Sequence, residues 1–133
     1  LWTHAGLHET ASLLGGASPA VSQDMVIAAY SSGEIAALLP DNGRELWVES
    51  LSGSPGGGFA PSVASLADIA GSPVLHQGVV LAASNSGQTV SIDSRTGQRR
   101  WTQPIGSYST PWASGNAAFV ISNENQMICL SAT

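Results

Sequence analysis

Short apolar runs separated by turn residues recur along the chain. In the clearest stretch, Ser72–Leu75 is an extended segment turned by His76-Gln77-Gly78. Val79–Ala83 is an apolar run long enough for a buried strand and too short for a helix. Asn85-Ser86-Gly87 follows as a hairpin turn, because Asn and Gly accept the positive φ that tight loops need. Gln88–Asp93 then alternates, with Val90 and Ile92 on one face among Gln88, Ser91 and Asp93. Arg95-Thr96-Gly97 turns the chain again into Gln98–Thr102, which carries Trp101. The pattern predicts a unit of four short antiparallel strands.

That unit repeats. Residues 18–47 align with residues 72–101 without a gap, and ten of thirty positions are identical, enough to mark them as copies. The shared positions include the opening Ser-Pro, Ser32-Gly33 with Ser86-Gly87, Gly43 with Gly97, and the closing Trp47 and Trp101. A third copy begins at Thr110-Pro111, where AAFVIS (117–122) matches VVLAAS (79–84), and continues through MICL (127–130). Four strands in a unit of about 40–50 residues is the period of a β-propeller blade. The expected fold is therefore all-β: a partial propeller of about three blades, each of four antiparallel strands.

The spacing between copies is uneven, 54 residues from Pro19 to Pro73 and 38 from Pro73 to Pro111. The excess is a Gly-, Ser- and Pro-rich insertion containing SGSPGGG (52–58), which reads as a flexible inter-blade loop. It is not a phosphate loop, because no Gly-Lys-Ser/Thr follows the glycines. Leu1-Trp2-Thr3 matches Leu46-Trp47-Val48 and Arg100-Trp101-Thr102, so residues 1–4 are expected to be the last strand of a preceding blade. The expected organisation is then a blade at 17–48, the insertion at 49–67, a blade at 71–103, and a blade lacking its last strand at 109–131. Open strand edges are templates for pairing, so the chain is expected to be part of something larger or to self-associate through those edges.

Composition narrows the function. Charged residues are 10 % of the chain, against roughly 25 % in an average soluble protein. The net charge is −5, with four arginines and no lysine. Binding nucleic acid needs clustered cations that this chain lacks. The single cysteine, Cys129, excludes an internal disulfide and a Cys-rich zinc framework. It lies on an apolar strand, where a small core hydrophobe is expected. His4 and His8 are spaced i, i+4 but lie in a loop across a glycine, with no third ligand placed. His76 is expected at an exposed turn. No metal site, cofactor site or catalytic constellation emerges. Trp112 has no counterpart in the other repeats.

The stretch SIDSRTGQRRW (91–101) resembles the AxDxxTGxxxW docking motif of quinoprotein-type (PQQ-like) propeller repeats, with Ser91 in place of Ala. Asp93, Thr96 and Gly97 would form the capped turn, and Trp2, Trp47 and Trp101 would pack between blades. The first repeat keeps Gly43 and Trp47 but has Leu39 and Asn42 where Asp and Thr stand in the motif.

Within that superfamily the chain is similar to the middle blades of the BamB family, propeller lipoproteins of the outer-membrane β-barrel assembly machinery. The similarity runs through MVIAAYSSGEIAALLPDNGRELW (25–47), the long insertion, and SLADIAGSPVLHQGVVLAASNSGQTVSIDSRTGQRRW (65–101).

The resemblance implies a non-catalytic scaffold without cofactors, at the periplasmic face of the outer membrane. Its implied partners are the POTRA domains of the barrel-inserting subunit, BamA. The family's partner-binding loops map onto Ala11-Ser12-Leu13-Leu14, where only the second Leu of a Leu-x-Leu-Arg pattern is kept, and onto Asp68-Ile69-Ala70, which keeps one Asp of two. Leu13, Leu14 and Asp68 are thus the partner-binding candidates. The alternatives are a PQQ- and Ca²⁺-dependent dehydrogenase module, whose vicinal disulfide one cysteine cannot form, and a purely structural repeat whose residues 1–4 complete the third blade of a neighbouring chain.

Overall fold

A computed structural model describes residues 1–6, 16–51 and 69–133 of the chain. Among them the regular structure is entirely β, in three antiparallel sheets. The first blade contains β1 (Ala20–Val21), β2 (Val26–Ala29), β3 (Glu34–Leu38) and β4 (Glu45–Ser50), paired in chain order. The second contains β5 (Val74–His76), β6 (Val79–Ser84), β7 (Gln88–Asp93) and β8 (Arg99–Gln103), paired likewise. The third contains β9 (Trp112–Ser114), β10 (Ala117–Ile121) and β11 (Met127–Ser131), with β10 in the middle. The chain therefore folds as β-propeller blades.

The register is the same in each blade. Ala20 faces Ile27, Val74 faces Leu81, and Trp112 faces Phe119. One strand further on, Ile27 faces Ala37, Leu81 faces Ser91, and Phe119 faces Cys129. Trp47 faces Ala37 and Trp101 faces Ser91, each preceded by a β-bulge, at Leu46 and Arg100, that re-aims the strand. The hairpin turn after the second strand uses positive φ at Gly33 and Gly87, and at Asn125 in the third blade. Asn is the residue other than Gly that adopts this conformation most readily.

Two strand starts fall later than the sequence pattern predicts. The first strand of the second blade begins at Val74 rather than Ser72, because Pro73 has no N–H and Ser72 N donates to Thr110 Oγ1 at 3.0 Å instead of to a ladder. The fourth begins at Arg99, because Gln98 belongs to the preceding turn: its N–H donates to Thr96 Oγ1 and its carbonyl accepts from Asp93 N.

The core lies between the sheets. Ile27, Ile35 and Ala37 of the first blade pack with Trp47 against Val80, Ala82, Val90 and Ile92 of the second. Leu51 and Ile69 are buried in the same cluster. A smaller cluster joins Leu81 and Trp101 of the second blade to Ala118, Leu130 and Ala132 of the third. Every strand of the second blade's centre is buried on both faces, so β6 reads as a continuous apolar run rather than an alternating one.

The tryptophans dock each blade on the next. Trp47 Nε1 donates to Ser94 O at 2.8 Å, and its ring covers Gly97, which has φ +73°. Trp2 repeats the arrangement on the first blade: Nε1 donates to Pro40 O at 2.8 Å and the ring lies over Gly43, at φ +69°. Trp101 packs between the second and third blades, but its Nε1 is buried without a hydrogen bond among the described residues. Ala132 O stands where Ser94 O and Pro40 O stand, and it accepts instead from the buried Ser91 hydroxyl at 2.9 Å. The Ser that replaces Ala in the motif has taken a backbone carbonyl equivalent to the one the indole uses elsewhere.

Truncating Trp47 to Ala removes a buried aromatic and strands Ser94 O, at an expected cost of about 3–5 kcal/mol. Gly97→Ala places a Cβ 2.7 Å from Trp47 Cγ in a left-handed conformation, so it should cost more than the roughly 1–2 kcal/mol of that conformation alone. Urea unfolding followed by tryptophan fluorescence measures both, with Gly78→Ala, where the added Cβ meets open space, as the control for backbone strain.

Candidate partner-binding surface

Two of the three sequence-expected partner-binding residues, Leu13 and Leu14, lie in 7–15 and the third, Asp68, in 52–68; all three are outside the described residues, as is His8. The residues that flank these two segments are described. Leu51 and Ile69, on either side of the second segment, are both buried between the first two blades. The first is flanked by Gly6, packed against the Tyr30 ring, and by Gly16, ahead of the first blade's opening strand. Both segments hold the same place in the sequence repeat, ahead of a blade's opening Ser-Pro. The third such connection, Pro104–Pro111, is short and held by Ser107, whose buried hydroxyl donates to Ile121 O at 2.7 Å.

A polar pocket of about 160 Å³ sits at the stem of the first loop, lined by His4, Gly6, Tyr30, Glu34, Glu45 and Val48. His4 Nδ1 shares a 2.7 Å hydrogen bond with the Tyr30 hydroxyl, and His4 Nε2 lies 3.4 Å from Glu45 Oε2. Burial pushes the Tyr30 hydroxyl's pKa up, and the charges of Glu34 and Glu45 add to the shift. The neutral phenol is thus the form held there, as a hydrogen-bonding group. No group of three or more His, Cys, Asp or Glu side chains among the described residues is arranged to hold a metal ion.

Asp93, Thr96 and Gly97 close the second blade's turn. Asp93 Oδ1 accepts from the backbone N–H groups of Arg95 and Thr96 at 3.0 and 3.1 Å, and Oδ2 accepts from Arg100 Nη2 at 2.8 Å. The Arg100 guanidinium, followed by the two backbone donors, holds the Asp93 carboxyl well below the usual carboxylate range. Thr96 Oγ1 accepts from Gln98 N. In the first blade Asn42 does the same work, its Oδ1 accepting from Arg44 N at 2.9 Å, so the turn survives with Leu39 in the Asp position.

Sequence reasoning missed a series of hydroxyls at the blade openings. Ser18 N donates to Ser72 Oγ at 2.9 Å, and Ser72 N donates to Thr110 Oγ1 at 3.0 Å. These are the residues before Pro19, Pro73 and Pro111, so their signal was present as a hydroxyl ahead of proline in all three copies. Arg99 also went unnoticed. It bridges the first two blades by donating to Glu49 Oε1 and Ser50 O.

Two expectations are corrected. Cys129 is exposed rather than a core residue, because its side of β11 carries no covering sheet among the described residues. His76 is not simply exposed at a turn: it is half-buried and its Nε2 lies 2.9 Å from Gly115 O of the third blade, within a hydrogen bond. Trp112 has a place at last, on β9, largely exposed beside Phe119, Ile121 and Met127.

Comparison with known proteins places this architecture. The whole chain, residues 1–133, matches the family model described as outer membrane protein assembly factor BamB. The outer membrane protein assembly factor BamB of Shigella dysenteriae is 26% identical over 120 residues, which cover 90% of this chain and 30% of that protein. The crystal structure of BamB from Moraxella catarrhalis superposes with a TM-score of 0.81 at 25% identity, covering 98% of this chain and 39% of that one. A quinohemoprotein alcohol dehydrogenase from Pseudomonas putida shares the fold, with a TM-score of 0.66 at 15% identity over 88% of this chain and 19% of its own. The chain thus spans about 30% of the length of the curated relatives it matches.

The Asp93 turn generates a pH test. The carboxyl's pKa is lowered in the fold, so its stabilising effect is complete above the ordinary value of 3.8 and is lost as pH falls below it. Asp93→Asn should be less stable than the parent at neutral pH, and the gap should close in acid below that value. Urea midpoints recorded across the acid range check it.

Proposed function

Because the chain belongs to the BamB family, we propose that it is a non-catalytic section of a propeller scaffold that binds a protein partner during outer-membrane protein assembly. The single observation that carries this reading is the family match across all 133 residues. The scaffold would work at the periplasmic face of the outer membrane, a placement that fits a family of outer membrane protein assembly factors. Its partner would be the POTRA domains of a BamA-like barrel-inserting subunit.

The architecture suits the task. Blades joined by docked tryptophans and apolar faces supply a rigid frame, and loops on such a frame are where recognition concentrates. Leu51 and Ile69, which flank residues 52–68 in the sequence, are both buried in the inter-blade core. Leu13 and Leu14 would form the apolar anchor of the contact and Asp68 its polar rim, the arrangement that tight protein interfaces use.

The fold it shares with a quinohemoprotein alcohol dehydrogenase does not extend to a fitting donor set. Both Asp93 carboxylate oxygens are already engaged by Arg95, Thr96 and Arg100. Cys129 is the single cysteine of the chain, so no vicinal disulfide can form.

Binding of the chain to purified POTRA domains, measured by biolayer interferometry, tests the proposal. Leu13→Arg and Asp68→Arg should each weaken binding at least about tenfold, the loss expected for a residue near a contact's centre. Wild-type affinity in both variants, or no binding by the parent chain, overturns it.

A further inference from the structure

The joint between residues 1–6 and the first blade uses the same positions of the repeat as the joint between the first two blades. Trp2 and Trp47 make the same bond over equivalent glycines. Counted from those indoles, His4 and Glu49 hold one position of the incoming strand, and Gly6 and Leu51 hold another. On the receiving blade, Glu45 corresponds to Arg99, each two residues before its own tryptophan. Tyr30 corresponds to Ser84, and the carbonyl of each accepts from the glycine N–H that closes the hairpin turn.

The contents of those positions are inverted between the two joints. The first sets His4 of the incoming strand against Glu45 of the blade, Nε2 to Oε2 at 3.4 Å. The second sets Glu49 of the incoming strand against Arg99 of the blade. In size, the first joint pairs Gly6 with the Tyr30 ring, so close that a Cβ on Gly6 would meet Tyr30 Cγ at 2.6 Å. The second carries Leu51, buried in the inter-blade core, on the incoming strand and the fully buried Ser84 on the blade. Large and small have changed sides, and so have acid and base.

The docking tryptophan and the glycine beneath it cannot tell these blades apart, because both are identical in the two copies. Ten of thirty aligned positions are shared, and misassembly among like units is the characteristic failure of repeat chains. We propose that the four inverted positions form a key that fixes blade order, so that each blade accepts the strand of its own predecessor and rejects the other.

Each wrong pairing carries two faults. The strand of Glu49 and Leu51 docked on the first blade would bring Glu49 against Glu45 and drive Leu51 into the Tyr30 ring. Residues 1–6 docked on the second blade, skipping the first, would leave Arg99 without its carboxylate and put Gly6 where Leu51 fills the core. Exposed ion pairs contribute little stability by themselves. Like charges set together and an overfilled contact are penalised strongly, and specificity is built from such penalties as much as from attraction.

Exchange of the Trp2 indole N–H, which donates to Pro40 O, reads the first joint by NMR. Recoding the incoming strand alone, His4→Glu with Gly6→Leu, should raise that rate at least about tenfold, within the range of measured couplings between touching residues. Recoding the blade alone, Tyr30→Ser with Glu45→Arg, should raise it likewise. All four substitutions together should bring the rate back to within about threefold of the parent, since they rebuild the second joint's key at the first. The Trp47 indole N–H, donated to Ser94 O, should keep its parental rate throughout. If the fourfold variant loses Trp47 protection as well, the charge pair alone decides: His4→Glu and Glu45→Arg should each speed Trp2 exchange, and the two together should restore it. A parental rate in either half-recoded variant overturns the proposal, as does a fourfold variant or a charge pair in which the two losses simply add.

Discussion

The structure depends on an indole laid over a glycine, with its N–H bonded to the carbonyl that begins the next blade's turn. A four-stranded sheet this small has little interior of its own. It becomes stable only when both faces are covered, which is the general condition of repeat folds. The Trp47 contact meets that condition between the first two blades by combining a large buried area with a direction-specific bond to Ser94 O. Gly97 follows from it twice over, because the turn needs a positive φ and the ring needs the space of a missing side chain.

Departures from the repeat are tolerated where another group can supply the same bond. Asn42 caps its turn as Thr96 caps the second, and Asn125 takes the left-handed position that Gly33 and Gly87 hold. Ser91 departs in another way. Its hydroxyl is buried and must find an acceptor, and it finds Ala132 O, leaving the indole N–H of Trp101 without a partner. The second inter-blade joint is thus chemically unlike the first, though the two share one sequence motif.

The blade architecture was legible because it is written in local signals: turn residues at fixed offsets, short apolar runs, and Trp at the close of the first two units. What was not legible depends on neighbours. Cys129 sits on an apolar strand, as a core residue would, yet whether β11 is covered is decided by a different sheet. His76 and Arg99 find their partners 39 and 50 residues away, distances at which no local pattern operates. Of the candidate interface, sequence similarity pointed to Ala11–Leu14 and Asp68–Ala70, while the burial of Leu51 and Ile69 between the blades emerged only from the packing.

The hydroxyl series at the blade openings has an architectural consequence. Ser18, Ser72 and Thr110 tie the inner ends of successive blades directly to one another, without involving the segments that connect them. Connector length is thereby insulated from blade spacing: one link spans a short Pro104–Pro111 and another more than twice that, while the openings stay in step. A scaffold so fastened at its axis is free to lengthen and diversify its rim.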